Sequence, residues 1–235
     1  MVSTTHLNVS QMTGTAPPVI VHPDGNVGVF NASNYKKKYL VLVVVFSAYD
    51  KSATNEIKAF SKLLPNFEAQ NCNLLGISRD SPPVLTDWMS QEKEFAFPII
   101  SDLNLAYSDF GLSQRLGISL NQGYPTSSLI VVDKSGIIRY ISSNTAGYDQ
   151  SANEIFRIVE ALNSVVDAGK GQKLVPANWK SSDEFIWNTR EHVDYYYAKK
   201  YSDKGDKDAA STDNKLSEPP QEYDSSVFSF AENDN

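Results

Sequence analysis

The sequence predicts an α/β fold built on a mixed central sheet flanked by helices, and three observations carry that prediction. Apolar, β-branched runs alternate with segments of helical period through the middle of the chain. Two of these runs, Tyr39 to Phe46 and Asn73 to Ser78, are almost wholly apolar, as strands are when both faces are covered. Later runs form a hairpin around Lys134-Ser135-Gly136, which makes the sheet mixed rather than purely parallel.

The elements follow in order. Residues 1–16 read as a loose polar leader. Val19-Ile20-Val21 and Val27-Gly28-Val29-Phe30 flank the turn residues Asp24-Gly25-Asn26 and predict an N-terminal hairpin. After the Tyr39–Phe46 strand, Ile57, Phe60, Leu63, Leu64 and Phe67 fall at helical spacing over about Ala53 to Gln70, with Pro65 as a kink or early end. The Asn73–Ser78 strand follows. Ser81-Pro82-Pro83 opens a helix carrying Leu85, Trp88 and Met89. Pro98 to Asp102 reads as extended, and Leu105 to Leu116 as helical. Ser128–Asp133 and Gly136–Ser142 make the second hairpin. Ser151 to Val166 is a last strong helix, with Ile155, Ile158, Val159 and Leu162 on one face. No internal repeat is visible.

Bulk composition narrows the function classes. The chain of 235 residues is 41% hydrophobic and 21% charged, an ordinary globular balance. No apolar run approaches the roughly 20 residues of a membrane span. The N-terminus lacks both a basic region and an apolar core, so no secretory signal is expected. An intracellular, soluble protein is expected, in the cytoplasm or an organelle's stroma or matrix. One cysteine, Cys72, excludes an internal disulfide framework, and the scattered His6, His22 and His192 form no ligand-spaced pair. No metal and no cofactor is expected. From Asp203 onward nine acidic residues face three lysines, which places −6 of the chain's −7 net charge in the tail. A nearly neutral body with an acidic tail does not suit a nucleic-acid binder.

One turn carries the most information. Val41 to Phe46 ends in the short polar segment Ser47-Ala48-Tyr49-Asp50-Lys51-Ser52 and runs straight into the first helix. In thiol-redox proteins a turn of this kind presents a cysteine at a helix N-terminus, where the backbone dipole stabilises a thiolate. Here the turn holds no sulfur.

Several segments, taken in their shared order, resemble the peroxiredoxins of the AhpC/TSA type, a family with the thioredoxin fold. Tyr35-Lys36-Lys37-Lys38-Tyr39-Leu40-Val41-Leu42 looks like the family's "Y-K-G-K-Y-L-V-L", and Glu56-Ile57-Lys58-Ala59-Phe60-Ser61 like its "E-I-I-A-F-S". Ser78-Arg79-Asp80-Ser81 with Trp88, then Pro98-Ile99-Ile100-Ser101-Asp102, fit "S-x-D-S…W" and "P-L-L-S-D". Leu129-Ile130-Val131-Val132-Asp133-Lys134-Ser135-Gly136 is similar to "L-F-I-I-D-x-x-G". Val175-Pro176-Ala177-Asn178-Trp179-Lys180 is similar to "C-P-A-G-W-K", the mark of the typical two-cysteine branch. The resemblance runs from about Pro17 to Tyr201. It implies a peroxiredoxin-like domain over 17–180, a C-terminal aromatic arm over 181–202 and an acidic, disordered tail over 203–235.

Every catalytic position departs from the pattern. The threonine, proline and peroxidatic cysteine of the family loop have Ser52, Ala53 and Thr54 as their nearest equivalents, with two residues missing. The two arginines that the family keeps near the thiolate fall on Ser127 and Gln150, and the resolving cysteine on Val175. A second alignment sets Tyr49 to Ala53 on the "W-C-x-x-C" loop of thioredoxin-like reductases, with Asp50 and Ala53 at the cysteine positions. It makes Pro125, in Gly123-Tyr124-Pro125-Thr126, a cis-proline. Peroxide reduction needs a thiolate that becomes a sulfenic acid, and a serine hydroxyl cannot replace it.

Two function classes follow. One is a catalytically inactive peroxiredoxin-like protein that serves as a structural or interaction subunit. It would use the family's homodimer surfaces, a larger hetero-assembly, the aromatic run Tyr195, Tyr196, Tyr197 and Tyr201, and the apolar Val227, Phe228 and Phe230 in the tail. The alternative is a thiol peroxidase working through Cys72, the one candidate redox thiol.

Overall fold

A computed structural model describes residues 18–103, 120–121, 124–144, 148–167, 173–181 and 183–201, with backbone alone at 120–121, 124–125, 166–167 and 201. The leader, the helix expected over Leu105–Leu116 and the tail with Val227, Phe228 and Phe230 lie outside these residues. The chain divides into two compact units, residues 1–159 and 160–235.

The first unit is organised by a seven-stranded sheet. In chain order its strands are β1 (Val19–Val21), β2 (Val27–Val29), β3 (Tyr39–Val44), β4 (Cys72–Ser78), β5 (Ile99–Ser101), β8 (Ser128–Val132) and β9 (Ile138–Ser143). Between β5 and β8 lies the short pair β6 (Leu120–Asn121) and β7 (Tyr124–Pro125). The spatial order is β2-β1-β5-β4-β3-β8-β9. β3 and β4 pair in parallel, as do β4 and β5, whereas β8 lies antiparallel to β3 and to β9.

Every residue of β3 is buried, because β3 has a neighbour on each edge and cover on each face. That explains its unbroken apolar sequence. One face gathers Leu40, Leu42, Val44, Leu75, Ile77, Ile100, Ile130 and Val132 into a single cluster, closed by Phe30 and Ala32. The other receives α1 (Lys51–Ala69) and α2 (Pro82–Gln91), which pack on β4 and on β1 and β5. Both helices connect adjacent parallel strands, and right-handed crossovers running the same way put both on one face.

The predicted helix from Ala53 begins two residues earlier, at Lys51, and passes through Pro65 to Ala69. Pro65 therefore does not end it. The last turn is held by Phe67, fully buried against Phe60 and edge-on to Phe156. Burying an aromatic side chain is worth more than the backbone bond that proline removes. α2 starts as expected, with Ser81 at the N-cap and Pro82 in the first turn. The hairpin turns also follow the sequence: Gly25 and Gly136 take φ of 83° and 81°, where glycine is unstrained.

α3 (Ala152–Asp167) follows β9. The second unit adds the pair β10 (Lys173–Leu174) and β11 (Ile186–Trp187), then α4 (Arg190–Tyr201). No described helix is long and apolar enough to cross a membrane.

Gly76, in β4, lies opposite Ile99 of β5 with no room for a side chain. A Cβ there would sit 2.8 Å from Ile99 Cγ1 in β5. Gly76→Ala should therefore lower unfolding stability by about 1–3 kcal/mol through overpacking, measured by urea titration.

Candidate functional site

The turn after β3 delivers the chain to the N-terminus of α1. Asp50 caps that helix: its carboxylate accepts from Ala53 N at 2.9 Å, and its carbonyl accepts from Thr54 N and Thr54 Oγ1, both at 2.9 Å. The orphan N–H groups and the dipole, which would stabilise a thiolate, here serve a carboxylate. Ala53 is buried and Thr54 half-buried, so neither offers a reactive group to solvent. Ser52 is half-buried and donates from Oγ to Asp149.

Tyr49 precedes the cap in a left-handed conformation, φ 64°, unusual for a bulky side chain. Its hydroxyl donates to Asp87 in α2, and its ring lies 6.4 Å from that of Trp88. Asp80, at the end of β4, accepts from Ala48 N at 2.6 Å and from Ser78 Oγ at 2.6 Å. Two aspartates thus fasten this short turn from opposite ends.

One turn into α1 sits Glu56, 2% exposed. It accepts from Ser127 Oγ at 2.8 and 3.0 Å and from Gln150 N at 2.7 Å. Gln150 also donates from Nε2 to Ser127 O at 3.3 Å and accepts from Ser142 Oγ at 3.0 Å. Ser52, Ser127 and Gln150, picked out separately in the sequence, therefore converge through Glu56 and Asp149. Serine and glutamine supply neutral donors at the positions where the resemblance places arginines. Among the described residues no cation faces Glu56. Burial raises its carboxyl above the ordinary value. The Gln150 and Ser127 hydrogen bonds partly oppose that rise, and the Asp149 and Asp50 charges reinforce it.

Sequence reasoning missed Glu56 as a centre. The signal was present: an acidic residue at i+3 from buried Ala53 and one before Ile57 lies on the apolar face of α1.

The other candidates lie elsewhere. Cys72 opens β4 and pairs in register with Tyr39, five residues along β3 from Val44, which puts it about 17 Å from the end that feeds α1. It is 1% exposed, donates to Asn73 O at 3.6 Å, and burial pushes its thiol up to about 12. Val175, half-buried, follows β10 in the second unit. In α4, Tyr195 and Tyr196 are half-buried and Tyr197 is 38% exposed. Tyr196 and Tyr197 meet edge to face at 5.4 Å, and Lys199 and Lys200 lie over the rings of Tyr195 and Tyr196. The side chains of Pro125 and Tyr201 are outside the described residues. No peptide bond among the described residues is cis, so the cis bond expected before Pro125 is not found there.

Comparison with known proteins gives a consistent set. The AhpC/TSA family profile matches residues 13–141. Peroxiredoxin TSA1 of Saccharomyces cerevisiae is 30% identical over 176 residues, covering 74% of this chain and 88% of the yeast protein. Peroxiredoxin TSA2 of the same yeast is also 30% identical, covering 73% and 88%. The reduced 2-Cys peroxiredoxin of Plasmodium vivax superposes with a TM-score of 0.69 at 23% identity, over 77% of this chain and 93% of that one.

Two measurements test the site. Because the folded state holds the Glu56 proton more tightly than the unfolded chain does, its contribution favours folding at low pH. That contribution is lost as pH rises from the ordinary 4.5 through the raised folded value. Glu56→Gln keeps the acceptor and removes the charge, so thermal unfolding from pH 4 to 8 should show a flatter profile and equal or higher stability at pH 8. Glu56→Ala strands the Gln150 N–H and should cost about 1–3 kcal/mol. Cys72 in the native protein should resist a thiol-specific chromogenic reagent at pH 8 and react at once in denaturant.

Proposed function

The chain belongs to the AhpC/TSA family of peroxiredoxins, and from that premise we propose that it is a non-catalytic member serving as a structural or protein-interaction subunit. The observation that carries this reading is the turn into α1, which holds no cysteine and whose helix cap is taken by the Asp50 carboxylate. A peroxidatic thiolate is helped by positive surroundings, and at the two positions where the resemblance places arginines Glu56 instead meets the neutral Ser127 and Gln150.

The fold retains surface suited to contacts. β9 is an edge strand whose Ile141 is 50% exposed, and Tyr148 just beyond it is 72% exposed. Edge pairing through β9 is compatible with a homodimer, and the tyrosines of α4 add amphipathic area suited to a protein partner. Peroxidase action through Cys72 has the geometry against it, since a buried, protonated thiol at the far end of the sheet meets neither peroxide nor the helix dipole.

Purified protein, wild type and Cys72→Ala, should consume hydrogen peroxide no faster than buffer in the presence of a thiol reductant. Native sizing of a gentle extract with mass spectrometry should place the protein in a hetero-assembly of constant composition. Turnover that vanishes in Cys72→Ala would restore the peroxidase reading. A free homo-oligomer would overturn the hetero-assembly.

A further inference from the structure

β2 ends the seven-stranded sheet, and among the described residues nothing pairs with its outer edge. Hydrogen bonds around the hairpin identify which backbone groups are open. Phe30 N donates to Pro18 O at 2.8 Å and His22 N to Asn26 O at 2.9 Å. The hydrogen-bonded pairs are therefore 18/30 and 22/26, and by the alternation of an antiparallel ladder also Ile20/Gly28 between them. The N–H and C=O groups of Val27 and Val29 consequently point away from β1. Their side chains share one face and are 55% and 65% exposed. A row of open backbone groups beside two bare valines is a template for another strand.

We propose that the chain's own leader closes this edge, with the segment from Leu7 to Met12 added as an outer strand parallel to β2. Chain geometry selects that occupant. Val19 pairs with Val29, so the leader meets the sheet at Pro18, beside the end of β2. Seventeen residues precede that point. Residues 13–17 have to cross two strand spacings, about 10 Å, and five residues reach about 17 Å. Leu7-Asn8-Val9-Ser10 alternates apolar and polar with the period of a strand. Leu7 and Val9 carry the same i, i+2 spacing as Val27 and Val29, so one face of the added strand covers both valines.

Tethering gives the leader an effective concentration in the millimolar range. A second copy docking on a three-residue edge would fall well short of the roughly 800 Å² per partner that a stable interface buries. The leader thereby protects an edge that would otherwise recruit foreign strands. This inference is independent of the functional reading above.

Amide hydrogen exchange on the full chain tests it at two protein concentrations, with Leu7→Asp/Val9→Asp as the comparison. The Val27 and Val29 amides should be protected about tenfold or more over unstructured rates. That protection should disappear in the double variant, while the Val41–Val44 amides stay protected and report an intact sheet. Unprotected Val27 and Val29 amides in the native chain would overturn the proposal, as would protection that survives the double substitution. Protection that falls on dilution of the native chain would also overturn it, and would assign the edge to a second copy.

Discussion

The buried carboxylate of Glu56 is the constraint around which the site is arranged. It joins three segments far apart in sequence: the first turns of α1, the approach to β8 at Ser127, and the loop before α3 at Gln150. The donors are the Ser127 hydroxyl and the Gln150 backbone N–H. A buried carboxylate without a cation is expensive unless hydrogen-bonded, and here the hydrogen bonds are supplied. The network is a structural clasp between three distant segments.

Much of the fold was legible because it rests on local signals. Gly25 and Gly136 occupy turns that need positive φ, and Ser81-Pro82 reads as a helix start wherever it occurs. β3 could be recognised because a central strand needs apolar residues on both faces. Pro65 misled for the converse reason, since its local signal to stop is overridden by Phe67 reaching Phe60 and Phe156.

The site was legible only in part. Ser52, Ser127 and Gln150 could be named one by one as departures from a family pattern, but nothing local says that they meet. The contacts that join Glu56 to Ser127 and Gln150 span 71 and 94 residues. Cys72 shows the same limit in reverse. Its position in the sequence left both an inert and a reactive reading open, and only its register opposite Tyr39, at the far end of β3, separates it from the helix terminus.

The turn between β3 and α1 also bears on where the chain can accept change. Tyr49 is held left-handed, tied by its hydroxyl to Asp87, while Ala48 is pinned by Asp80. A loop closed this tightly has no slack to admit a reactive side chain at the helix terminus. An added residue there would have to release Ala48 from Asp80 or Tyr49 from Asp87. The turn is therefore less tolerant of an inserted residue than its polar sequence suggests, and an insertion scan across the chain should find it a sensitive point outside the core.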